Sequence, residues 1–255
     1  MNRILQFAAI TAVLSTSSHA VLISGVTATT STSIAGTRSA AQAVDGSDLQ
    51  FTGGSVNDPN NYTNKGEASY GVGEAWMSSN GSTPGNEWIT FELGSTVNLS
   101  SMSIFNQGRH QTVASGSNPA VSNNGEDYRG RGIDAVDIYY RVGGGIGSNV
   151  QGGIGGAQTA TPFNNSGWSL LGSFNLSQGP NNTSNSISPS PGVPTGPNQI
   201  DFGGISASAV ALDINSSHGN ATIVGIGEAQ FFAVPEPSTA LLGLTGLGLL
   251  MRRRR

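Results

Sequence analysis

The chain has 255 residues, of which 37 are glycine, none is cysteine and only 10% are charged, with a formal net charge of −4. Without cysteine there is neither a disulfide staple nor thiol chemistry, and outside the four terminal arginines the Lys and Arg are few and unclustered, which argues against an electrostatic nucleic-acid interface. Between residues 21 and 234, six Lys or Arg stand against fourteen Asp or Glu, so this stretch carries a charge near −8.

The first 20 residues read as an export signal. Arg3 supplies the positive charge, residues 4–14 an apolar stretch, and residues 15–20 a run of mostly small side chains. Ser18 and Ala20 fit the small-x-small rule of a signal peptidase site, which predicts cleavage after Ala20. The apolar stretch is too short to span a bilayer of about 30 Å as a helix.

Residues 21–233 have the pattern of one all-β domain. Ala41-Gln42-Ala43-Val44-Asp45-Gly46 leads into residues 47–73, which are rich in Gly, Asn and Ser and read as a loop. Trp88-Ile89-Thr90-Phe91-Glu92-Leu93 is a strand pattern ending at Gly94, and Met102 and Ile104 alternate with serines before Asn106. Residues 111–129 read as a second loop. Ala135-Val136-Asp137-Ile138-Tyr139-Tyr140 alternates and ends in a glycine turn, followed by the glycine-rich loop 143–166. Strand patterns resume at 168–174, 199–202, 210–214 and 223–232, interrupted by residues 178–197, whose five prolines predict a surface excursion. Seven or more short strands with turns between them indicate a β-sandwich. Trp76, Trp88 and Trp168 are expected in its core, because strand tryptophans bury a large apolar area.

The C-terminal 22 residues, 234–255, form a separate unit. Val234-Pro235-Glu236-Pro237 breaks the preceding strand, since each proline lacks an amide donor and holds its predecessor extended. An apolar run, 240–251, and four arginines, 252–255, complete it. Twelve mostly apolar residues fall short of the roughly 20 of a durable span, so transient membrane insertion is expected, with the arginines held on the cytoplasmic side. The series of Pro-Glu-Pro, apolar helix and basic end resembles the PEP-CTERM sorting signals of bacteria. That resemblance implies recognition by an exosortase-type transpeptidase, removal of the helix, and delivery to the cell surface or an extracellular matrix.

The order of pieces in the domain carries a second resemblance. Ala43-Val44-Asp45-Gly46, Glu87-Trp88-Ile89-Thr90-Phe91-Glu92-Leu93-Gly94, the strand with Tyr139-Tyr140, and Gly225-Ile226-Gly227-Glu228-Ala229-Gln230-Phe231 succeed one another as in discoidin, or coagulation-factor type C, domains and related galactose-binding-like jelly rolls. Between Gly46 and Trp76 stand 29 residues, where that family usually has fewer. The resemblance implies a structural calcium ion held by Asp45 and Glu228, with Asp48 as an extra ligand; calcium takes six to eight oxygens, which a turn of carbonyls and carboxylates supplies. The same residues also suit a plain turn with Asp45 accepting backbone hydrogen bonds and Glu228 solvated.

The resemblance further implies binding of sugars or lipids through loops at one end of the sandwich. Gln107-Gly108-Arg109-His110 comes after one strand and Asp127-Tyr128-Arg129 precedes another, which makes Arg109, His110 and Arg129 the candidate contacts to an extracellular polysaccharide. Catalysis finds little footing: after export only His110 and His218 remain, and neither a G-x-S-x-G elbow nor a phosphate-cradling loop is present. The sequence reads as an exported, non-catalytic carbohydrate-binding sandwich. A structural matrix component without a specific ligand and a weak polysaccharide hydrolase are its alternatives.

Overall fold

The computed structural model describes residues 20–34, 38–47, 49–64, 75–108, 128–143, 167–179 and 197–235. Residues 1–19 of the expected export signal 1–20, Asp48, Arg109, His110, Glu236, Pro237 and the apolar tail lie outside the described residues. Among those described, regular structure consists of ten strands and short 3-10 turns. The strands are β1 (Val21–Leu22), β2 (Thr27–Thr30), β3 (Leu49–Phe51), β4 (Tyr62–Asn64), β5 (Trp76–Met77), β6 (Glu87–Asn106), β7 (Ala135–Arg141), β8 (Ser169–Asn175), β9 (Asn198–Ile214) and β10 (Gly225–Ala233). The fold is all-β, as the alternating stretches predict.

Eight strands form one antiparallel sheet in the order β1-β10-β6-β9-β7-β8, with β2 on β6 and β5 on β10. Two long strands give it its shape. Residues 87–92 of β6 pair with 214–209 of β9, and residues 97–104 of β6 pair with 207–198, with register shifts between Glu92 and Val97 and between Leu99 and Ser101. The first half of this ladder is flanked by β2 and β7, the second by β10.

The two halves face each other. Phe91 and Met102 are eleven positions apart on β6, which in a straight strand is about 36 Å. Yet the Phe91 ring lies 5.1 Å from that of Phe231, the register partner of Met102. The strand therefore turns back at its irregular centre, as bulges and glycines allow; Gly94 sits there with φ of +77°. The sheet becomes two stacked layers, with Ile89, Phe91 and Leu93 meeting Met102, Ile104, Ala229 and Phe231 in a shared apolar core.

The outer faces are covered too. On the first layer, Trp88, Tyr139 and Trp168 pack over Ala209 and Ala211. On the second, Gln230 and Ser103 are register partners, and alternation with the core residues Ala229 and Met102 turns them outward. The segment 49–64 is tied down from Leu22 N–H to Asn57 Oδ1 (3.0 Å) and from Gln199 Nε2 to Asn60 Oδ1 (3.1 Å). All three tryptophans are buried, as expected.

Several elements differ from the sequence reading. Part of the expected loop 47–73 is the β3–β4 hairpin, with a 3-10 turn at Pro59–Asn61 between its strands. The stretches 88–93 and 102–104 are one strand, as are 199–202 and 210–214, because pairing with each other carries both chains through glycine and serine stretches that lack an apolar alternation. No helix among the described residues is long and apolar enough to cross a membrane; the segment expected to insert transiently lies outside them.

Candidate functional site at the strand ends

The strands β6 and β10 meet at one end of the domain, and Asn106 is the clamp there. It is buried, and its Oδ1 accepts from Ile133 N–H (2.8 Å) while its Nδ2 donates to the carbonyls of Ile133 (2.6 Å) and Ser177 (3.0 Å). One amide side chain thus satisfies backbone groups of two other segments, which a buried backbone requires. Gly132 is glycine for a steric reason: a Cβ there would fall 2.8 Å from Asn106 Oδ1. Gln107 continues the seam, with Nε2 3.4 Å from the Trp76 carbonyl oxygen.

The seam gathers the candidate loops. Arg129 lies half-buried in the 3-10 turn Tyr128–Arg131, whose next residues are the Gly132 and Ile133 held by Asn106. Residues 216–220 close over the same turn, with His218 N–H on the Gly132 carbonyl (3.0 Å) and Asn220 N–H on that of Gly130 (2.9 Å). Gln107 and Gly108, the stem leading to Arg109 and His110, therefore stand beside the turn that carries Arg129. Where the side chains of Arg109 and His110 go lies outside the described residues.

Sequence reasoning does not place His218 in a site. Its Nδ1 is 3.8 Å from Asp134 Oδ1, and its Nε2 is buried without a hydrogen-bond partner. Asp134 Oδ2 also accepts from Ser216 Oγ (3.1 Å), so the carboxylate orders the same loop. Only the position of His218, in the turn before the last strand, could have signalled this.

Asp45 and Glu228 also come together, midway along the second layer. The Glu228 side chain is 1% exposed, and its Oε2 accepts from Gly46 N–H (2.9 Å). Asp45 is exposed, and its Oδ1 accepts from Ser47 N–H (2.9 Å), closing an Asx turn. Glu228 is thus buried, not solvated as the plain-turn alternative has it. Two carboxylates and the carbonyls around a glycine in the left-handed region, φ +76° at Gly46, are hard oxygen donors of the kind calcium takes. Among the described residues no group of three or more His, Cys, Asp or Glu could hold a metal ion, and Asp48 lies outside them.

A second carboxylate pair lies on the outer face of the first layer. Asp137 and Asp213 are register partners on β7 and β9, beside Trp88 and Tyr139. Burial, and then the charge of Asp137, push the Asp213 carboxyl from 3.8 up to about 6. Burial and both aspartates raise the Tyr139 hydroxyl. Ser173 Oγ donates to Asp137 Oδ1.

The PEP-CTERM protein-sorting motif matches residues 233–255 of the chain. No curated protein matches it. Among solved structures, the F5/8 type C domain of a Bacteroides fragilis protein is similar at 12% identity, covering 86% of this chain and 99% of that one with a TM-score of 0.45. The family 32 CBM from Clostridium perfringens NanJ, solved in complex with galactose, is similar at 14% identity, covering 83% and 98% with a TM-score of 0.43. A family 89 glycoside hydrolase from Clostridium perfringens matches at 18% identity and a TM-score of 0.43; 86% of this chain is covered, but only 16% of the hydrolase's length. The chain carries a PEP-CTERM sorting signal, and its structural neighbours are discoidin-like, galactose-binding-like domains.

Proposed function

We propose that this protein is displayed at the bacterial cell surface or in an extracellular matrix, where its β domain binds carbohydrate without catalysing a reaction. The sorting motif implies export and processing by an exosortase-type transpeptidase. What supports the division of labour is where the motif begins. Val234 N–H still bonds the Asn98 carbonyl at 2.8 Å, closing the last strand onto β6. Pro235 comes next and cannot continue the ladder. Cleavage in the tail would leave the folded domain intact.

The carbohydrate reading is supported by the convergence of the loop stems at Asn106. Arg129 supplies hydrogen-bond donors at one end of an otherwise acidic domain, beside the stem that leads to Arg109 and His110, and hydroxyl groups both accept and donate. Calcium belongs to the same proposal as a structural ion: Asp45 and Glu228 would hold it, and its charge would tie the first turn to the last strand. The test is titration of the exported protein with neutral and anionic polysaccharides. Micromolar or weaker binding to a neutral polymer is expected, and Arg129→Ala should weaken it several-fold without changing the melting temperature. Anionic polymers should be repelled, less so as salt exceeds about 0.15 M and screens beyond about 8 Å. Absence of binding across a broad glycan array would leave the structural-matrix reading as the better one.

A further inference from the structure

The hairpin that occupies the unusually long span between Gly46 and Trp76 does not lie flat on the sheet. Between it and β10 is a cavity of about 480 Å³, lined among others by Asp45, Phe51, Tyr62, Glu228 and Gln230. This is within the size range of small-molecule sites, about 300–1,000 Å³. Its outer wall is held in place rather than loosely draped. The hairpin is tied to β1 and β9 through Asn57 and Asn60, and Tyr62 Oη donates to the Val56 carbonyl at 3.2 Å. The Phe51 and Tyr62 rings sit 5.3 Å apart at the rim, with Phe51 45% exposed.

One wall is polar and underused. Gln230 is 91% buried, being 9% exposed, and its Oε1 has no hydrogen-bond partner. Buried polar groups are nearly always satisfied, so the orphaned oxygen of Gln230, a residue of the cavity lining, calls for a ligand or water. An amide can present either its oxygen or its nitrogen by a half-turn, so Gln230 suits a group that both donates and accepts. Asp45 and Glu228, the carboxylates assigned above to calcium, also belong to the lining. Exposed aromatic carbon at the rim and an amide in the wall match a pyranose: its ring face is a row of C–H bonds, and its edge is hydroxyls.

We propose that this cavity is a second carbohydrate site, taking a terminal pyranose with its ring face toward Phe51 and Tyr62 and its hydroxyl edge toward Gln230. The proposal rests on the carbohydrate-binding reading but places the ligand elsewhere. Gln230 is five residues from Gly225, or about 16 Å along β10 from the strand-end seam. Its outer wall is built by the hairpin, so it does not depend on Arg109, His110 or Arg129.

The test uses the full chain and the absence of native cysteine. Phe51→Cys places a single thiol at the rim, where the exposure of Phe51 lets the variant fold. Galactose, N-acetylglucosamine, glucosamine and glucuronic acid, as free sugars and short oligomers, are then tested for slowing of thiol alkylation, with ligand-observed NMR on the wild type in parallel. At least one of these sugars should protect the thiol. Phe51→Ala should weaken that sugar's binding about tenfold, a difference of about 1.4 kcal/mol, while Arg129→Ala leaves the protection unchanged. Sugar binding by NMR with no protection and no effect of Phe51→Ala overturns the cavity site and leaves the strand-end reading standing. No signal from any sugar overturns both.

Discussion

The Asp137–Asp213 pair offers a sharp test of the packing on the first layer. Asp213 is 8% exposed, and its carboxyl is pushed from 3.8 up to about 6, first by burial and then by Asp137. Arg141, on the same strand as Asp137, is in register with Ala209 rather than with Asp213. A carboxyl raised this far binds its proton more tightly in the folded than in the unfolded chain. Between pH 3.8 and about 6 the unfolded state has lost the proton while the folded state keeps it. Stability contributed by this group is therefore full below pH 3.8 and declines as pH rises through about 6. The difference corresponds to about 3 kcal/mol, or about 6–12 °C in melting temperature for a domain of this size.

Asp213→Asn keeps the volume and removes the charge. Thermal melts of wild type and variant from pH 3.5 to 8 should show the variant more stable at pH 8 by up to that amount, with the two curves converging near pH 4. Taking the difference between the proteins cancels the titration of the other carboxylates. Asp137→Asn should recover only the smaller, Coulombic part. A difference that stays flat across the range, or a variant less stable than wild type at pH 8, would refute the reasoning.

Three further outcomes are expected. Gly225→Ala would place a Cβ 2.5 Å from the Trp76 carbonyl oxygen and 3.1 Å from Gln107 Nε2, so urea denaturation should show a loss of about 1–3 kcal/mol; an unchanged midpoint would mean the seam is looser than its contacts indicate. Chelation of calcium should lower the melting temperature by about 5–11 °C if calcium stands at a hundredfold excess over its dissociation constant, and Glu228→Gln should erase that sensitivity; a chelator without effect on folded protein rejects the ion. Deleting residues 235–255 should move the protein from the cell fraction to the medium on immunoblots of fractionated cultures, and retention by the cells would show that the tail is not the tether.

Local chemistry alone made much of this protein legible. The sorting signal is linear, so its Pro-Glu-Pro series can be read without a fold. Alternation at 88–93 and 135–140 marked strands with one buried face, because side chains on a strand alternate with a period of two. Asp45 and Glu228 came from the order of motifs rather than from any local pattern, and their carboxylates do share the Gly46–Ser47 turn. The tertiary structure decided what depends on register. Residues 94–101 carry no clean alternation, so only their pairing with β9 shows that β6 is continuous and doubles back to bring Phe91 onto Phe231. Asp137 and Asp213 are 76 positions apart, Ser103 and Gln230 are 127 apart, and nothing near either residue names its partner. Such pairs are set by which strands lie side by side and in what phase. That is a property of the whole sheet, fixed when the apolar faces close on one another.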